Sequence, residues 1–165
     1  MTTTITGAGG VSQVQAGAIE HGDLPSGSVL QVVQVTSNSS TTPTASWTAV
    51  AGGAITIAPS ATSSKVMVTF TSGGMSNGTA NDIQIRLVRG STVVRSISRY
   101  GYEGPNDWTA CPLTLSYLDS PSTTSATTYS IEVLTNLNND FRINNNQQDD
   151  GGLNGVVTIA MEIRG

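Results

Sequence analysis

The chain has few charged residues. Asp, Glu, Lys and Arg make up 11% of its 165 residues, which is less than half of the roughly 25% usual in soluble domains. Seven basic residues stand against eleven acidic ones, the net charge is -4, and Lys65 is the only lysine. Binding to nucleic acid needs clustered Lys and Arg that face the phosphates. The composition therefore predicts no nucleic-acid partner.

Cysteine and long apolar runs are also scarce. Cys111 is the only cysteine, so no disulfide can form within the chain, and the thiol is either a small buried apolar group or a reactive one. No histidine or cation lies beside it in the sequence, which favours the buried group. The N-terminus lacks the basic and apolar regions of a signal peptide, and no apolar run approaches the about 20 residues of a membrane span. We expect a soluble protein that is made in a cytoplasm and has no membrane partner.

Residues for catalysis are sparse as well. The only histidine, His21, lies near the N-terminus, outside the predicted strands. A Ser-His-Asp site would therefore have to be built outside the sandwich, which makes it improbable. Glu103 and Asp107 share a short segment and are either a pair of glycosidase type or two solvated carboxylates; the second interpretation is favoured. The sequence predicts no catalytic residue, no enzymatic activity and no cofactor.

Thr, Ser, Asn and Gly take the place of the missing charged residues. These residues disfavour helices and favour strands joined by turns. Alternating apolar residues between turn signals predict nine strands, at about 28–36, 46–50, 53–58, 65–71, 82–89, 92–99, 109–118, 128–135 and 155–163. Nine strands in one domain of this length indicate an all-β sandwich or barrel.

The strand at 82–89 has the clearest pattern. Ile83, Ile85 and Leu87 alternate with polar residues, so one face is predicted to be buried and the other wet. Gly90-Ser91 follows, and a two-residue loop that starts with Gly predicts a type II′ hairpin.

The last strand also alternates. Its apolar set is predicted to face the core, with the alternate residues on the opposite face. The apolar set is Val157, Ile159, Met161 and Ile163, and the alternate set is Thr158, Ala160, Glu162 and Arg164.

Residues 1–27 differ from the rest, which assigns 28–165 to the sandwich domain. This segment is rich in Gly, Thr and Gln, and its apolar residues are too few for a core of their own. It is either a loose tail or an extended arm whose isolated apolar side chains dock on a partner. The candidate docking residues are Ile5, Val11, Val14, Ile19 and Leu24.

Three segments are predicted to be long or irregular loops: 72–81, 100–108 and 136–154. Loops carry function on β scaffolds. Tyr100, Tyr102 and Trp108 lie in the second segment, next to Arg99 and Asn106. They are either a surface that binds a ligand or partner, or core packing at the end of the sandwich.

The region 140–151 is rich in Asn and Asp, which supply the oxygen ligands that calcium uses. Its spacing does not match an EF-hand loop, and a solvated turn is favoured over a metal site. The residues concerned are Asn144, Asn145, Asn146, Asp149 and Asp150.

Several segments resemble virion proteins of tailed bacteriophages, especially marine and cyanobacterial ones. They keep their order and spacing over about residues 24–163. They are DLPSGSVLQVVQ at 23–34, ITIAPSATSSKVMV at 55–68, IRLVRG at 85–90, YLDSPSTTSATTYSI at 117–131 and MEI at 161–163.

The resemblance implies a jelly-roll sandwich that assembles as a homotrimer in the virion. Two functions remain open within this family. A decoration, or cement, protein binds the major capsid protein on the outer capsid surface after assembly in the host bacterial cytoplasm, and uses its arm as a strand-like tether. A tail-fibre head instead recognises a host surface glycan. A fibre head follows a shaft, and residues 1–27 hold no heptads, so the decoration protein is favoured.

Overall fold

The computed structural model describes residues 21–77, 81–102, 108–110, 112–135, 141–144 and 155–165. A short 3-10 helix at His21–Asp23 precedes twelve β-strands within these ranges, and the predicted all-β class is confirmed. The strands are β1 (Val29–Ser37), β2 (Thr48–Ala49), β3 (Ile55–Ile57), β4 (Lys65–Ser72), β5 (Gly74–Asn77), β6 (Asn81–Arg89), β7 (Thr92–Tyr102), β8 (Trp108–Ala110), β9 (Leu113–Asp119), β10 (Thr127–Thr135), β11 (Phe141–Ile143) and β12 (Val156–Ile163).

Two antiparallel sheets form a jelly-roll sandwich. The first sheet has the order β1-β12-β4-β9, and in the second β10-β6-β7 follow an edge that is shared by β2 and β3. If β2 and β3 count as one interrupted strand, the eight main strands run 1-8-3-6 in one sheet and 2-7-4-5 in the other. This order is that of two interlocked Greek keys, the jelly roll.

A third, small sheet extends the first one. Its order is β11-β5-β8, and β5 and β8 continue the direction of β4 and β9 beyond a break. The break lies at Gly73 on one strand and before Leu113 on the other. The sequence assigned these parts to loops or to one long strand, so the predicted loops at 72–81 and 136–154 are partly wrong. The predicted strand at 109–118 is wrong as a single unit, because Pro112 has no N–H to continue a ladder.

The core lies between the two large sheets. Ile83, Ile85 and Leu87 are fully buried, as predicted, and pack with Phe70 and Tyr129. The hairpin after β6 is confirmed too. Gly90 has a φ of 58° and Ser91 does not have a positive φ, which is the type II′ pattern.

The predicted faces of the last strand are wrong. Buried and half-buried residues alternate along β12, and the first residue, Val156, is buried. The residues that face the core are therefore Val156, Thr158, Ala160 and Glu162. The apolar set Val157, Ile159, Met161 and Ile163 lies half-buried on the outer face of the sheet. The alternation predicts the strand but not its phase, and a phase shift of one residue moves every side chain of a strand to the opposite face.

Candidate functional site

The segment before β1 is held against the end of β12. Gly27 donates its backbone N–H to the carbonyl of Arg164 over 2.8 Å, and Arg164 donates its own N–H to Ser28 over 2.8 Å. The Arg164 guanidinium also donates to the Gly22 carbonyl over 3.2 Å. Leu24, predicted as a docking residue of the arm, is half-buried here. Residues 22–28 are thus part of the domain surface, and we call this end of the sandwich the arm end.

Glu162 lies in the interior at the arm end and has no exposed surface. The Gln31 amide donates to one carboxylate oxygen over 2.6 Å. The backbone N–H of Ser60 donates to the other oxygen over 2.7 Å, and the Ser60 hydroxyl donates to the same atom. Both oxygens are therefore satisfied, as a buried carboxylate requires.

These hydrogen bonds decide the charge state of Glu162. Burial by itself raises the pKa of a carboxyl group, but the donors from Ser60 and Gln31 favour the ionised form more strongly. The pKa of Glu162 falls from an ordinary 4.5 to about 2. The Ser64 hydroxyl contributes to this lowering, although its geometry makes no regular hydrogen bond. Glu162 is thus an ionised, fully bonded group at neutral pH.

A second buried carboxylate, Asp119, connects the two large sheets at the same end. Its Oδ2 accepts a hydrogen bond from the Tyr129 hydroxyl over 2.8 Å and an ion-pair contact from Arg89 over 2.7 Å. Burial and the nearby Asp119 raise the pKa of Tyr129 above its usual range. Because Asp119 is in β9 and its two partners are in β6 and β10, this cluster joins one sheet to the other.

Glu162 and Asp119 belong to one cross-strand row. In register, Gln31, Glu162, Val66 and Asp119 follow one another across β1, β12, β4 and β9. Both carboxylates accept hydrogen bonds or an ion pair from other residues of the chain. The row therefore has a structural role: Glu162 orders the loop at Ser60, and Asp119 holds the two sheets together. Sequence reasoning missed this role, because a single Glu or Asp in an alternating strand carries no sign of its burial.

The neighbouring row, on the outer face, is apolar across all four strands. It consists of Val32, Met161, Met67 and Leu118. Val32 is 59% exposed and Leu118 is 40% exposed. With the outward residues of β12 this row forms one surface, which we call the outer apolar surface. Its members are Val32, Met67, Leu118, Val157, Ile159, Met161 and Ile163.

The backbone brings the predicted aromatic residues to the opposite end of the sandwich. Tyr100 and Tyr102 end β7 and Trp108 begins β8, so the prediction of one irregular loop at 100–108 is wrong at both of its ends. Trp108 pairs with Asn77, and Tyr102 pairs with Asn81. Four residues of chain span at most about 14 Å, so both pairs lie at one end. Their side chains are outside the described residues, and their role as a ligand or partner surface stays a prediction.

An aromatic and ionic cluster lies on the outer face of the second sheet. The Arg86 guanidinium is 4.1 Å from the centre of the Trp47 ring, and its Nε donates to Glu132 over 2.7 Å. Arg86 and Glu132 are directly opposite each other on β6 and β10, where opposite charges stabilise a sheet. Arg86 thus contacts the Trp47 ring and also pairs with Glu132, and these contacts stabilise the outer face of the second sheet.

Asn144 is the one member of the predicted Asx-rich region that the structure describes. It is 1% exposed, has a φ of 51° and donates its backbone N–H to Gly73 over 2.9 Å. Asn144 therefore closes the small sheet onto β4. Nearby, a shallow cleft of about 300 Å³ is lined by uncharged residues, among them Thr71, Pro112 and Gly155.

Several predicted site residues lie outside the described residues. They are Ile5, Val11, Val14, Ile19, Glu103, Asp107, Cys111, Asn145, Asn146, Asp149 and Asp150. Within the described part of the chain, no group of three or more His, Cys, Asp or Glu side chains is placed to hold a metal ion. In the same part, no helix has the length and apolar character needed to cross a membrane.

No protein-family model and no curated protein matches the chain. Sixteen chains of solved structures do match. One of them belongs to the structure of the infectious bursal disease virus Gt strain, with 13% sequence identity and a TM-score of 0.37. The match covers 82% of this chain and 38% of that chain. The jelly-roll assignment above is based on strand order alone.

Proposed function

We propose that the chain is a structural protein of a phage virion, namely a decoration protein that binds the major capsid protein on the outer capsid surface as a homotrimer and stabilises the head. The proposal draws on the sequence resemblance to tailed-phage virion proteins. The structural observation that carries it is the jelly-roll order of the eight main strands, since the resemblance implies this fold.

The arm end supports the assignment of the arm as the tether. Residues 22–28 are bonded to the end of β12 through Arg164, so residues 1–20 start from a fixed point. An extended segment that begins at a fixed point can add to a sheet edge of a capsid subunit, where main-chain hydrogen bonds give affinity and spaced apolar residues give specificity. In a trimer, three such arms reach one region of the lattice, and multivalency strengthens binding.

The test is the position of the protein on the particle and its dependence on the arm. Antibody labelling of virions should mark the capsid. Purified full chain should co-sediment with isolated capsids of the phage that encodes it, and deletion of residues 2–20 should abolish the co-sedimentation.

Two results would contradict the proposal. Labelling on the tail would favour the alternative function, a tail-fibre head that recognises a host glycan, in which Tyr102 and Trp108 are the first residues to replace. Full capsid binding by the variant without residues 2–20 would remove the arm from the mechanism. Circular dichroism of the variant serves as the control for folding.

A further inference from the structure

The chain makes a tight turn just before β1. Ser28 donates its backbone N–H to the Pro25 carbonyl over 3.1 Å, and its hydroxyl donates to the same carbonyl over 2.7 Å. Gly27 has a φ of 91°, which is the pattern of a type II turn with glycine as its third residue. Residues 22–26 therefore turn aside at the arm end and do not continue the line of β1.

Backbone hydrogen bonds fix the β1 side of this turn. Gly27 donates its N–H to the Arg164 carbonyl over 2.8 Å, and Arg164 donates its own N–H to Ser28 over 2.8 Å. These bonds continue the ladder between β1 and β12 beyond the pair of Val29 and Ile163. Breaking them would open the end of the first sheet, so Gly27 is an anchored position.

The arm side of the turn is held by a side chain. The Arg164 guanidinium donates to the Gly22 carbonyl over 3.2 Å. Among residues 22–26, Leu24 is half-buried and the others are exposed. A segment with so little buried surface opens at a lower free energy than the strands beside it. Loss of the side-chain bond would leave the backbone bonds at Gly27 in place.

From these observations we infer that residues 22–26 form a strap that opens about Gly27 when the Arg164 guanidinium releases Gly22. With the strap closed, the arm leaves the domain at Gly22. With the strap open, the arm leaves at Gly27, and five more residues extend its reach by about 17 Å. Arg164 is thus a positioning residue that sets where the arm begins.

The strap gives the arm of the proposed decoration protein an adjustable starting point. Its use on a capsid rests on the proposed function, because only a tether gains from a variable reach. The strap itself is a property of the free chain, and its test needs no capsid. A negative result would therefore remove the strap and leave the assignment of the arm as the tether standing.

A protease that cleaves before Asp reports on the strap, because the bond between Gly22 and Asp23 lies within it. When opening is fast, the rate of cleavage at such a bond follows the population of the open form. The bond before Asp119 lies within β9 and is cut only when the domain unfolds. Mass spectrometry at early times measures the two cleavages separately, and the second one is the internal control for global stability.

Two full-length variants form a matched pair for this assay. Arg164→Met removes the donors and the charge but keeps an unbranched apolar stem. We expect cleavage before Asp23 to become about three to ten times faster, with cleavage before Asp119 unchanged. Arg95→Met makes the same change at an exposed position of β7 in the other sheet and should leave both rates as in the wild type.

Three outcomes would overturn the inference. Equal cleavage before Asp23 in the wild type and in Arg164→Met means that the guanidinium does not hold the strap. A parallel rise in cleavage before Asp119 means that Arg164 stabilises the whole domain and that no separate strap exists. The Gly27 amide should keep its protection from hydrogen exchange in Arg164→Met, because its acceptor is the backbone carbonyl of residue 164. Loss of that protection would show that the ladder opens together with residues 22–26 and that Gly27 is not the pivot.

Discussion

Glu162 shows how much one buried group contributes to this fold. Its carboxylate has no exposed surface and accepts from Gln31 and from the backbone and side chain of Ser60. The two donor residues lie on different segments, Gln31 on β1 and Ser60 on a loop that has no strand of its own. The carboxylate thus fixes the position of a loop that strand pairing leaves undetermined.

The lowered pKa of Glu162 predicts a loss of stability in acid. The pKa is about 2 in the folded chain and 4.5 in its ordinary state, so the contribution is complete above about pH 4.5 and is lost as the pH falls toward 2. The difference corresponds to about 3 kcal/mol of unfolding free energy. Denaturant titrations of the wild type at pH 7, 4 and 3 should show this decrease.

Glu162→Gln should remove most of that pH dependence. The amide keeps the size of the side chain but lacks one acceptor for the Ser60 donors, so we expect the variant to lose about 1 to 3 kcal/mol at pH 7. Glu132→Gln, on the outer face of the other sheet, is the control and should keep the acid dependence of the wild type. An unchanged acid slope in Glu162→Gln would contradict the assignment.

At the scale of elements, β12 shows where the sequence is informative and where it is not. The alternation over 156–163 predicts a strand, and the structure has one. It does not predict the phase, because both faces of β12 carry apolar residues: Val156 and Ala160 inside, Ile159 and Met161 outside. The side that is buried is decided by pairing with β1 and β4, which a single strand does not contain.

Short and broken strands were harder to predict than long ones. β5 has the sequence GMSN and β11 has FRI, and neither is long enough for a pattern of period two. β5 continues the chain of β4 past Gly73, and it pairs with β8 on one side and with β11 on the other. The arm residues were chosen from composition, which indicates that they can dock but not where. Sequence reasoning misses the outer apolar surface, because it assigns the four β12 residues of this surface to the core and gives Val32, Met67 and Leu118 no face.

The turn between β2 and β3 predicts a specific sensitivity. Val50 accepts from the Gly53 N–H over 2.9 Å, and Gly52 has a φ of 70°, which is the pattern of a type II turn. A methyl group at Gly52 would overlap the Ser37 side chain at the end of β1. Gly52→Ala should therefore combine backbone strain with a clash, at a cost of about 2 to 4 kcal/mol of unfolding free energy.

Gly90→Ala is the matched comparison for this turn. Gly90 also has a positive φ, of 58°, but a methyl group there would meet no atom within 4 Å. We expect it to cost only the backbone strain, about 1 to 2 kcal/mol. Denaturant titration of both variants measures the difference, and equal losses would show that the overlap with Ser37 is relieved by a small shift.

At the scale of the whole molecule, the two ends of the sandwich differ in chemistry. The arm end holds the carboxylates Glu162 and Asp119 with their donors, and the described chain begins there. The opposite end holds the small sheet and the backbone positions of Tyr102 and Trp108.

The sheet edges bear on the proposed trimer. Among the described residues, β1, β7 and β9 each pair with one neighbour only, and open edges are the usual sites of further strand pairing. We expect analytical ultracentrifugation to give three times the mass of one chain. A single-chain mass at all concentrations would contradict the trimer, and dissociation caused by Val32→Asp would place the trimer contact on the outer apolar surface.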